Sequence, residues 1–175
     1  FLGEKAAYDI DELIALMRCS KANPTYLTQG KADTVWPMFT RQSSYREDLL
    51  RLSTYFDGVK AHSADSYTSR WYIDETGTLQ YTYSTEGMYD VLCYLSDMEA
   101  EGLIYSDCYD LTNKTNFRST LWGTDESEAP AYGFITFDWQ ASSTADSLNK
   151  DIVVVLPPVL GNGTNSLSTF KGGVD

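Results

Sequence analysis

The chain has 175 residues, with 13 Lys and Arg against 25 Asp and Glu and a formal net charge of -12. That length suits one domain able to bury roughly two-thirds of the surface its unfolded chain exposes, and the acidic balance opposes the phosphate attraction on which nucleic-acid and anionic-membrane binding rely. No apolar run reaches the roughly 18 residues a membrane helix needs, and Phe1 opens the chain with neither a basic n-region nor a cleavage site, so any export signal is expected outside it.

In chain order, Asp9 and Glu12 stand at capping-box spacing, and Ile10, Leu13, Ile14 and Met17 then share one face, predicting a first helix that ends near Cys19. Asn23-Pro24 and Gln29-Gly30 mark an irregular stretch. Ser44 and Glu47 repeat the capping pattern ahead of Leu49, Leu50, Leu52 and Phe56, and Asp57-Gly58 stops this second helix. Residues 70–73 and 79–83 read as two strands joined through Asp74, Glu75, Thr76 and Gly77, a hairpin. The strongest helical pattern covers 85–101, with Met88, Val91, Leu92, Leu95 and Met98 as its core stripe, Gly102 as the left-handed residue after its end and Leu103 as the apolar contact beyond.

A shorter helix is expected over 113–121 and an acidic exposed loop over 125–130. Strands follow at 133–139 and at 151–156, the second an unbroken apolar run suited to burial on both faces. Helices interleaved with such strands imply an α/β lobe, several helices packed on a small mixed sheet. Its core spans about 8–160, and 161–175 is a Gly- and Ser-rich tail.

Little in this sequence carries catalytic chemistry. His62 is the only histidine, and without a G-x-S-x-G elbow it reads as a surface-loop residue rather than a base. Asp97, Glu99 and Glu101, and likewise Asp125, Glu126 and Glu128, could be offered as metal ligands or paired carboxylates. A helix end and a loop make them solvated faces instead. Gly161-Asn162-Gly163 lacks the Lys-Ser or Lys-Thr of a phosphate loop and is a turn. Cys19, Cys93 and Cys108 have no metal-ligand spacing; Cys93, one step from the apolar stripe, reads as a buried structural thiol, and a Cys93–Cys108 disulfide is the one pairing their proximity suggests. Neither a metal nor a cofactor is expected.

Aromatic residues are more informative, with 13 Tyr and 4 Trp in the chain. Trp139 follows Phe137-Asp138 where a strand leaves the sheet, putting a flat apolar face beside a carboxylate, the pair needed to stack on a sugar ring and accept its hydroxyl protons. A core-edge Trp with a solvated Asp has the same pattern. Trp36, in Thr34-Val35-Trp36-Pro37, is a second and weaker candidate of this kind.

The succession Tyr132-Gly133-Phe134-Ile135-Thr136-Phe137-Asp138-Trp139, then Asp151-Ile152-Val153-Val154-Val155-Leu156-Pro157-Pro158, then Gly161-Asn162-Gly163 resembles the second lobe of the family 1 extracellular solute-binding proteins. Val91-Leu92-Cys93-Tyr94-Leu95 leading into Glu101-Gly102-Leu103-Ile104 is similar to a helix of that family, and Thr34-Val35-Trp36-Pro37 resembles an aromatic cleft segment that precedes a helix. The likeness covers residues 8–174 and implies one lobe of a periplasmic-binding-protein-like (type II) fold, with the tail leading toward the hinge.

The resemblance also implies a function. The chain would be the capture lobe of an extracellular protein that hands a solute, an oligosaccharide by family analogy, to ABC permease subunits. A first lobe and a lipidated N-terminal anchor would lie outside this chain. Trp139 would be the stacking platform, Asp138 the hydroxyl acceptor, and Trp36 with Thr34 a secondary wall, with no catalysis. The rival from a different class is a carbohydrate-binding module or a fragment of a carbohydrate-active enzyme, since aromatic, acidic surfaces serve those too.

Overall fold

A computed structural model describes residues 8–44, 49–50, 52, 71–74, 76–122 and 133–136, and Tyr72 by its backbone alone. Its elements in order are helices α1 (Ile10–Ala22) and α2 (Pro24–Leu27), strands β1 (Trp36–Phe39), β2 (Trp71–Ile73) and β3 (Leu79–Tyr81), helices α3 (Glu86–Ala100) and α4 (Phe117–Leu121), and strand β4 (Gly133–Thr136). Single 3-10 turns occupy Thr82–Ser84 and Ser106–Tyr109. The described residues are therefore mixed α/β. They fall into two compact units, one holding β2, β3 and most of α3, the other most of α1 together with α2, β1, α4 and β4. Among them no helix is long and apolar enough to cross a membrane.

In the first unit, β2 and β3 pair antiparallel with Trp71 opposite Tyr81 and Ile73 opposite Leu79. The connection is built by Asp74. Its carboxylate accepts from the Thr76 and Thr78 amides, each at 2.9 Å, from the Thr76 hydroxyl at 2.6 Å and from Gln80 Nε2 at 2.8 Å. Gly77 supplies the positive φ, 81°, that closes the loop. These bonds all favour the ionised form, and they hold the Asp74 carboxyl down at about 2.

Thr85 caps α3, its hydroxyl accepting from the Met88 amide at 3.3 Å. Met88, Val91, Leu95 and Met98 are buried as the period requires, but Leu92 is 50% exposed and Cys93 is exposed as well. Both expectations for these two residues are corrected. At about 100° per residue the buried stripe centres between Val91 and Leu95, leaving Leu92 at its margin and Cys93 on the far side of the helix. The α3 end follows the sequence closely. Gly102, at φ 64°, donates to the Glu99 carbonyl at 2.7 Å and Leu103 to the Met98 carbonyl at 2.8 Å, with Met98 and Leu103 both buried. This is the Schellman arrangement with its apolar contact.

In the second unit, β1 and β4 run parallel with Trp36 opposite Gly133, Met38 opposite Ile135 and Phe39 opposite Thr136. On the other side of β1, Met38 donates to Leu103 at 2.9 Å and Tyr105 donates to Met38 at 2.8 Å, so Ile104 forms a further parallel bridge. The stretch around Trp36 is thus a strand bordered on both sides, where the sequence suggested a segment leading into a helix. Pro37 hides it, because a residue without an N–H argues against a strand with two neighbours.

The Asp9–Glu12 capping box at the start of α1 is formed, with Glu12 N donating to Asp9 Oδ1 at 2.9 Å and Asp9 N to Glu12 Oε2 at 3.2 Å. α1 runs past Cys19 to Ala22, closed by Asn23 Nδ2 on the Cys19 carbonyl at 2.8 Å. The stretch expected to be irregular then holds α2, with Pro24 in its first turn. The shorter helix expected over 113–121 begins only at Phe117, because the Asn116 side chain caps it by accepting from Arg118 N at 3.0 Å. Of the second predicted helix only Ser44, Leu49, Leu50 and Leu52 are described, with Leu49 and Leu52 buried, and the strand predicted at 151–156 lies outside the described residues.

Candidate functional site

The carboxyl ends of β1, of the Ile104 bridge and of β4 all face the same way, because the three are parallel. In open α/β sheets that end is where ligands lie. Thr40, the residue after β1, is anchored there through Cys108: its amide donates to the buried Sγ at 3.3 Å and its hydroxyl at 3.4 Å. The next residue, Arg41, accepts at its carbonyl from the Phe117 amide at 2.8 Å, and the Ser43 hydroxyl donates to the Asn113 carbonyl.

Asp107 ties this end together. Its Oδ2 accepts from the Tyr105 hydroxyl and from Asn113 Nδ2, both at 2.9 Å. Burial, followed by the bond to Asp107 and its negative charge, pushes the Tyr105 phenol up to about 12. Burial likewise pushes the Cys108 thiol up, although the Thr40 bonds pull toward thiolate. Cys108 is consequently a protonated, inaccessible sulfur that packs and accepts hydrogen bonds, and it cannot serve as a nucleophile.

Trp36 sits at the opposite, amino end of β1, opposite Gly133. It is half-buried and meets Tyr105 with ring centroids 5.3 Å apart at 64°, and Tyr105 in turn meets Phe117 edge-on at 5.1 Å and 88°. Thr34 is exposed two residues before the strand. Asp138 and Trp139 lie outside the described residues, as do His62 and the 125–130 acidic loop, so of the four sugar-site candidates only Thr34 and Trp36 are described.

Of the other acidic cluster, Glu101 is engaged: Arg18 donates Nε to Oε2 at 2.7 Å and Nη2 to Oε1 at 2.5 Å, and Lys21 Nζ donates to the Glu101 carbonyl. The Arg18 bond lowers the Glu101 carboxyl below its ordinary value. Glu101 is therefore a clamp partner at the end of α3 rather than only a solvated charge. Among the described residues no group of three His, Cys, Asp or Glu could hold a metal ion. Cys19, Cys93 and Cys108 are all free thiols, which replaces the Cys93–Cys108 pairing by a buried sulfur bonded to Thr40.

Sequence reasoning passed over Thr40, Tyr105, Asp107 and Asn113, and considered Cys108 only as a disulfide partner. One signal was available. Asn113 and Asn116, each accepting from the backbone amide two residues on, mark 113–118 as side-chain-organised backbone.

The class these elements define is a mixed α/β protein with a small parallel sheet. Comparison of the sequence with protein-family models and with curated proteins finds no match.

Proposed function

We propose that this chain is the ligand-capture lobe of an extracellular solute-binding protein of family 1, of the type II periplasmic-binding-protein-like fold, delivering an oligosaccharide to an ABC permease. Support comes from the order of the motifs over residues 8–174 and, most directly, from the polarity of β4. That strand is parallel to β1, and its sequence runs on from Thr136 into Phe137-Asp138-Trp139, next beyond the carboxyl end where α/β sheets receive ligands. Trp139 then stacks on a pyranose face while Asp138 accepts its hydroxyl protons; Trp36 and Thr34, at the amino end of β1, stand away from that edge and are the weaker part of the proposed site.

The ligand lies between this lobe and a second one, hinge closure buries it, and the closed form docks on the permease. The full-length protein is held outside the cell by an N-terminal lipid. No step of capture requires bond cleavage, so the chain is not an enzyme.

Titration of this chain and of the full-length protein with linear oligosaccharides, each with and without Trp139→Ala, tests the proposal. One lobe keeps about half the contacts, so full-length binding near micromolar, about -8 kcal/mol, becomes millimolar for the lobe. Trp139→Ala abolishes the full-length signal. Equal, tight binding by the lobe alone overturns two-lobed capture in favour of a self-sufficient sugar-binding module, and full-length affinity indifferent to Trp139→Ala removes that residue from the site. Trp36→Ala in the same titration separates a ligand wall, which loses affinity, from a packing residue, which loses only stability.

A further inference from the structure

We draw no further inference here: the strongest candidate, the exposed apolar face of the β2–β3 hairpin formed by Trp71 against Tyr81 and Ile73 against Leu79, carries nothing because nothing in the structure shows what covers it.

Discussion

Phe39 fills the space that a side chain at Gly133 would need. A Cβ built on Gly133 would stand 2.7 Å from Phe39 Cε1 and 3.1 Å from Leu121 Cβ. Phe39 cannot retreat easily, because it is fully buried and meets Trp122 edge-on at 5.1 Å, while Trp122 Nε1 donates to the Gly133 carbonyl at 2.7 Å. Gly133→Ala therefore overpacks the junction of β1, β4 and α4. The expected loss is about 1 to 3 kcal/mol in a urea melt. A variant as stable as the parent would show that Phe39 is free to move aside.

Leu92 and Leu95 make a second test, because their side chains are alike and only their burial differs. Leu95 is 8% exposed and Leu92 50%. Leu95→Ala should cost about 2 to 5 kcal/mol. Leu92→Ala should stay within about 0.5 kcal/mol, as surface substitutions do. Equal losses would mean that α3 presents a different face to its surroundings.

Thiol labelling distinguishes the three cysteines. Cys19 and Cys93 are exposed, whereas Cys108 is buried with its sulfur accepting from Thr40. A thiol reagent under native conditions should modify Cys19 and Cys93 quickly and Cys108 only after unfolding. Mass spectrometry of the labelled peptides reads the outcome. Fast native modification of Cys108 would contradict its placement.

Asp74 gives an acid-side prediction. Its folded carboxyl titrates at about 2, below the roughly 3.9 of an unfolded aspartate. A depressed value means that the stabilisation is present above the unfolded value and is lost as pH falls through the folded one. The β2–β3 connection should thus hold at pH 4 and loosen toward pH 2. The amide resonances of Thr76 and Thr78, both hydrogen-bonded to Oδ1, should shift together with a midpoint near 2. A midpoint at the ordinary aspartate value would refute the network.

Tyr105 acts at the other extreme. Its phenol is raised to about 12, so it stabilises the fold below the unfolded value of about 10 and that contribution disappears between there and 12. Tyr105→Phe removes the donor to Asp107 while Asn113 still satisfies the carboxylate. The loss should be about 1 to 2 kcal/mol at neutral pH. Ultraviolet titration should show one fewer late-ionising tyrosine, with the Tyr109 phenol, pushed up to about 12 mainly by burial, remaining. Loss of an early-ionising tyrosine instead, with the late phase intact, would show that the Tyr105 phenol is not held up.

What the sequence determined by itself is local. The Asp9–Glu12 box, the Asp74 to Gly77 connection and the Gly102 end of α3 were all legible, because each is set by backbone sterics and hydrogen bonds within a few residues, and the strand at Gly133 was legible from its aromatic and β-branched composition. The chemistry at the carboxyl end of β1 was not. Thr40 meets Cys108 across 68 positions, β1 pairs with β4 over a still longer separation, and Pro37 disguises the strand that joins them. Nothing near Thr40 in the chain encodes a sulfur acceptor. Tertiary structure decided that Asp107 would collect Tyr105 and Asn113, that Cys93 would face outward and that Trp36 would rest on Tyr105. Such choices depend on which apolar surfaces the whole chain can bury at once, and short-range propensity leaves that sum open.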